Sequence, residues 1–237
     1  MNTKQDRETA GQDHSQTNQS LHQNQGGGMK ILKDRLAKLK TISLKSGSHS
    51  PDSTFCVMEA VAWVAGEVWS DHPSCACHVI GAFLRSWNDS LPTDEDRDRL
   101  LKPLIPKLVG TKSTKKIEQY RAVMAADWFI REHLPAWLDL AGLTEQAKQV
   151  RSFPEITDFA QCPSIQPALE AIRKDAAAAW AAAWAAAWAA AWLNPTVSRL
   201  QLSAIKLVKR MIALKAADEL EGALAKRVRE QSTQSER

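Results

Sequence analysis
The chain has 237 residues, with 31 Lys and Arg against 27 Asp and Glu for a formal charge of +4. That length holds one large domain or two small ones, and so small a net charge selects neither for nor against nucleic acid. Four cysteines without an apolar signal segment point to free thiols in a reducing compartment, the cytoplasm, rather than to disulfides.

Residues 1–28 are expected to form a disordered polar tail. Gln, Asn, Ser and Thr dominate it and Gly26–Gly28 closes it, so little apolar surface is present to offset the entropy of ordering. In Met29–Leu44, the residues Ile31, Leu32, Leu36 and Leu39 stand at helical spacing among Lys30, Lys33, Arg35, Lys38 and Lys40, a pattern that predicts a basic amphipathic helix. Gly47–Ser53 reads as a loop. Ser53 or Thr54 is the predicted cap of a buried helix that runs toward Trp69 and stops near Gly66. Pro73 breaks the next connection, and a helix resumes at His78 and ends within Asn88–Pro92.

Thr93 is a predicted N-cap, with acids in the first turn where the helix dipole favours them. Pro103 and Pro106 cut the far end of that helix. Ser113 is the expected cap of a longer helix carrying Tyr120, Val123, Met124, Asp127, Trp128 and Arg131 near one face, and Pro135 opens a short helical turn. Residues 144–163 read as one helix and a loose connection containing Pro154 and Pro163. A long helix is expected from about Ser164 to Leu193, broken at Asn194–Pro195. The last helix spans about Pro195–Arg229, with Leu200, Ile205, Leu207, Val208, Met211, Ile212, Leu214, Leu220 and Leu224 as its apolar material. No stretch alternates, so the expected class is all-α: an irregular multi-helix bundle with a long Ala/Trp-rich helix. We expect one domain over 29–237, with a core motif at 54–143 and a C-terminal pair of long helices at 164–230.

The long helix contains Trp180, Trp184, Trp188 and Trp192 on a run of alanine. Four residues advance a helix by a full turn and about 40°, so the indoles fan across about 120° over about 18 Å. That is the width of a core-facing stripe. Three readings follow: one wall of the core, an exposed comb that binds a partner or a second copy, and a membrane span. Alanine gains little on transfer to lipid and tryptophan prefers the interface, so no membrane span is expected.

Glu59 is the one charged residue between Thr54 and Gly66, and it shares a face with Cys56 and Trp63. A glutamate in so apolar a helix needs a donor. Arg85, Arg121, His72 and His78 are the candidates. A structural ion pair is the simpler reading, and a general acid or base beside His72 is the catalytic one. His72, Cys75, Cys77 and His78 are metal-ligand types crowded into seven residues, with Cys56 upstream, but such crowding rarely closes a tetrahedron and no metal or cofactor is expected. Asp71 is the expected cap of local amides in the turn. His49 and His133 read as surface or helix-end residues.

Lys33, Lys38, Lys206, Lys209 and Arg210 mark two basic helices that would make a positive face if they lay side by side. No aromatic residues interleave with them, which disfavours single-strand nucleic-acid binding.

The stretches CVMEAVAWVAGEVWSDHPSC, VIGAFLRSWNDSLP and LKPLIPKLVGTKST resemble a bacterial and phage family, common in actinobacteria, without an assigned activity. The resemblance covers about Phe55–Leu143. It implies a shared polar core around Cys56, Glu59, Glu67, Asp71, His72 and Arg85. The Ala/Trp tract is similar to tracts in bacterial immunity proteins. The expected function is therefore non-catalytic binding of an unidentified protein partner or of a second copy, in the manner of an immunity or phage accessory factor. The alternatives are an enzyme or metal protein centred on Glu59, His72 and Cys75, and nucleic-acid binding through the basic helices.

Overall fold
Small side chains let helices approach closely, and the stretch VMEAVAWVA is made almost wholly of them. In the computed structural model, which describes residues 30–51, 54–191 and 195–214 (excepting the side chains of Asp175 and of residues 178–191), this stretch is α2, Val57–Ala65. Val57, Met58, Ala60, Val61, Ala62 and Val64 are all buried, and the helices α1 (Lys33–Leu39), α3 (His78–Ser90) and α5 (Ile105–Leu108) pack on it. Gly66 ends α2 at φ 75°, a left-handed conformation that a side chain would strain. A Cβ there would also stand 3.1 Å from Leu32 Cδ1.

The first helix is shorter than its sequence pattern suggests. Thr41 Oγ1 donates to Lys38 O at 2.8 Å and the chain turns. Leu44 then forms an isolated bridge with Phe55 instead of continuing the helix. Acids on neighbouring elements hold this return. Leu44 N donates to Asp98 Oδ1 at 2.8 Å and Gly47 N to Asp89 Oδ1 at 2.7 Å, while Lys45 pairs with Asp94. Asn88, fully buried, accepts from Val57 N and donates to Lys45 O.

Thr93 caps α4, Asp94–Leu101, as its sequence indicates, accepting from Asp96 N. A single 3-10 turn, Lys102–Leu104, separates α4 from α5 at the two prolines. Thr114, one residue beyond the expected Ser113, caps α6, Lys115–Trp128. The chain then widens into a π turn, Phe129–His133, and resumes as α7, Leu134–Leu140. Pro135 supplies a reason: it has no N–H for the carbonyl four residues back, and its ring would collide with that carbonyl in a regular helix. The expected single long helix is thus three consecutive pieces.

The α8 helix, Thr144–Arg151, packs on α7. After a capped 3-10 turn at Phe159–Gln161, α9 runs over Cys162–Ala191. Leu138, Ala147, Val150 and Ile172 form a satellite cluster beneath the start of α9. The last described helix is α10, Pro195–Ala213. Its Leu207, Val208 and Met211 join the same cluster as α2, so the main core reaches from Leu39 to Leu214. No strand occurs among the described residues, and the fold is all-α. None of the described helices is long and apolar enough to cross a membrane. The expectations for residues 1–28, for Ser53, for the chain beyond Leu214 and for the Trp180, Trp184, Trp188 and Trp192 side chains lie outside the described residues.

One buried charge ties α10 down. Arg121 is 1 % exposed on α6, and its guanidinium donates to Met211 O at 2.8 Å, Leu214 O at 2.6 Å and Thr111 O at 2.7 Å. Two of these carbonyls belong to the C-terminal end of α10, where helix oxygens lack internal partners and a cation is favoured. Replacing Arg121 by Met keeps the stem and leaves three buried carbonyls without donors. Arg121→Met is expected to lower unfolding stability by about 3–5 kcal/mol, measured by urea denaturation.

Candidate functional site
Aromatic residues stand four apart twice in this chain, at Phe83 and Trp87 on α3 and at Phe129, His133 and Trp137 from the π turn into α7. A spacing of four puts them on common helix faces, and those faces look at one another across α10. Together with Trp128 they wall a cavity of about 450 Å³, closed on the α10 side by Val197, Leu200, Gln201 and Ala204. The volume lies in the range of ordinary ligand pockets.

The rings contact one another. Phe83 meets Trp128 edge-on at 5.5 Å between centroids and Trp87 at 6.0 Å. His133 lies flat on Phe129 at 5.2 Å and tilted against Trp128 at 5.3 Å. Two indole N–H groups are already committed: Trp128 Nε1 donates to Ser203 Oγ at 2.7 Å and Trp137 Nε1 to His133 Nε2 at 3.0 Å. The second bond fixes the imidazole as the neutral tautomer with its proton on Nδ1. Burial acts in the same direction, holding His133 below the usual histidine range. No Asp, Glu, Lys or Arg is among the lining residues, and the polar groups at the rim are Ser86, Ser90 and Gln201.

This groove is the candidate site, and it differs from the expected one. His133 was expected at the surface or a helix end. It is instead half-buried in the groove wall, because the π turn carries it inward between Trp128 and Trp137. The doubled four-residue spacing of aromatic residues was the available signal.

The Glu59 region is built as a clamp. Glu59 is 1 % exposed, and its carboxylate accepts from His49 N and Cys56 N, both at 2.7 Å, with His49 Nδ1 at 2.9 Å. Its partner is therefore His49, not Arg85, Arg121, His72 or His78. His49 is correspondingly a half-buried anchor rather than a surface residue, and its carbonyl accepts from Trp69 Nε1 at 2.8 Å. Cys56, not Thr54, is the N-cap of α2, since Glu59 reaches back to its amide in a capping box. Glu59 and His72 do not form a dyad. The His72 ring is 57 % exposed and pairs with Asp71 at 2.7 Å. Asp71 also faces Arg85, whose Nη1 donates to Asp71 O at 2.8 Å. The amide-holding role expected of Asp71 belongs to Ser70, which accepts from His72 N, and to Glu67, which accepts from Ser74 N and Oγ.

Cys75 and Cys77 point into the core while His72 and His78 are exposed, so the four metal-ligand types diverge. Among the described residues no three His, Cys, Asp or Glu side chains gather to hold a metal ion. Lys33, Lys38, Lys206, Lys209 and Arg210 are all exposed. Their helices rest on different supports, α1 on α2 and α10 on α6.

The chain has no match among family models, curated proteins or solved structures. The resemblance drawn from Cys56–Pro73 is therefore neither supported nor opposed by these comparisons.

Two measurements check this description. Burial, with the Glu59 charge adding to it, pushes the Cys56 thiol up to about 12, and burial with Glu67 pushes Cys75 up to about 11. Both stay protonated at pH 8 and are inert as nucleophiles. A thiol reagent is expected to modify half-buried Cys162 promptly and to reach the core cysteines only on unfolding. The second concerns acid. The unfolded chain binds a proton at the ordinary histidine value of 6.5, while folded His133 binds it only at lower pH. Stability contributed above 6.5 is thus lost as pH falls through the folded value. Thermal midpoints are expected to decline from pH 7 to pH 5, and His133→Phe to flatten that decline.

Proposed function
We propose that this chain is a non-catalytic interaction factor and that the aromatic groove is where a partner protein seats its apolar side chains. The observation that supports this is the wall of five aromatic rings and one neutral imidazole around a cavity free of charged lining. Charged residues are depleted at the centres of protein interfaces, and aromatic rings are enriched there. Phe129, 52 % exposed at the rim, extends the apolar surface outward. On α10 the exposed Lys206, Lys209 and Arg210 stand a few residues beyond the groove, placed to pair with acids on the partner. An immunity-like or phage accessory role is one form of such binding and belongs to the same proposal.

The alternative of an enzyme centred on Glu59 and His72 has less support, since the carboxylate is consumed by His49 and the Cys56 amide. A benzophenone side chain placed at Ser86, which lines the groove, tests the reading against one at Val68, exposed on the α2–α3 connection. In the native host, Ser86 is expected to give a discrete adduct that Gln201→Trp suppresses by filling the groove. Equal adducts from both positions, or none from Ser86, would remove the proposal.

A further inference from the structure
The groove leaves one hydrogen-bonding group unanswered. His133 Nε2 accepts from Trp137, so Nδ1 carries the proton, and among the described residues that N–H has no protein acceptor. The ring lines the groove, so whatever fills the groove also covers the donor. A buried donor without an acceptor costs affinity, and a ligand that supplies one gains about three- to tenfold over a ligand that does not.

The lining sets the remaining conditions. It contains no carboxylate, so a cationic side chain would lose its hydration and gain only ring faces. It contains no fixed cation, so an anion gains still less. The faces of Phe83, Trp87 and Trp128 favour a planar ring in stacked or edge-on contact. Among protein side chains the uncharged rings are Phe, Trp, Tyr and neutral His. Phenylalanine has no acceptor, and indole has only a donor. Neutral imidazole has an acceptor but little apolar surface for walls of this kind. The phenol oxygen accepts from His133 Nδ1–H, and its own O–H can donate to Ser86, Ser90 or Gln201 at the rim.

We propose that the groove selects a tyrosine side chain of the partner protein as its anchor. This rests on reading the groove as the partner site, and it names the group that enters. Its test uses side-chain analogues on the full chain, followed by NMR through the indole N–H signals. 4-Methylphenol, toluene, 3-methylindole and propylguanidinium stand for tyrosine, phenylalanine, tryptophan and arginine. 4-Methylphenol is expected to bind about three- to tenfold more tightly than toluene and 3-methylindole, and propylguanidinium more weakly than any of them. His133→Phe keeps a ring in the wall and removes the donor. It is expected to abolish the 4-methylphenol preference while leaving toluene affinity unchanged, which a merely structural histidine would not do. Ser86→Trp, on an exposed position of α3, is expected to exclude all four.

Should His133→Phe fail to fold, the order of affinities on the unaltered protein decides. Toluene or 3-methylindole binding as tightly as 4-methylphenol overturns the proposal, as does binding that survives Ser86→Trp. A specific adduct at Ser86 without the phenol preference removes the tyrosine and keeps the partner. The phenol preference without an adduct removes the partner's tyrosine in favour of a free phenol.

Discussion
A guanidinium taken out of water has to be met on every side, and Arg121 is met by main-chain oxygens. Its three acceptors come from Thr111 and from Met211 and Leu214 at the end of α10. Those contacts span about ninety residues of sequence and lock the last described helix onto α6. They also stop α10, because carbonyls held by a side chain are not free to continue a helix ladder. The groove depends on this fastening. Its α10 side, Val197 to Ala204, is in place only while the helix lies against α6 and α3. The charge is buried at a cost, and its acceptors repay it only in one arrangement of the three segments. Arg121 therefore sets position as much as it adds stability.

A second buried charge works in the same way at the other side of the core. Glu59 gathers the 45–56 return, accepting from one amide on the loop and one at the helix start. Asp89, Asp94 and Asp98 hold neighbouring points of the same return from α3 and α4. Acids in this protein are used largely to pin backbone. That use explains why Glu59 makes a poor acid or base: both its oxygens are engaged in the resting fold.

The sequence was most legible where local chemistry acts alone. Thr93 before three acids, Gly66 after an apolar run and Pro195 after Asn194 all mark element ends through their own backbone preferences, and the all-α class follows from the absence of alternation. It was less legible where a distant partner decides. The return at Leu44 follows from Phe55 and the acids of α3 and α4, which no window around Leu44 contains. The match of Glu59 with His49 runs through a loop whose path spacing does not encode. The groove was missed for a related reason. Each of its aromatic pairs reads locally as core, and only the juxtaposition of α3, the π turn and α10 leaves their faces uncovered.

The π turn has a further consequence. Regular α-helix advances about 100° per residue, so deleting one residue from Phe129–His133 to restore that pitch would rotate all of α7 by about that angle. Trp137 would swing away from His133, and Leu138 would leave the cluster it shares with Ala147, Val150 and Ile172. A gap of a single codon in this segment would therefore unseat α8 and the root of α9 together. The tolerance of this chain to length change is accordingly lowest at one wide turn and has little to do with how exposed that turn is.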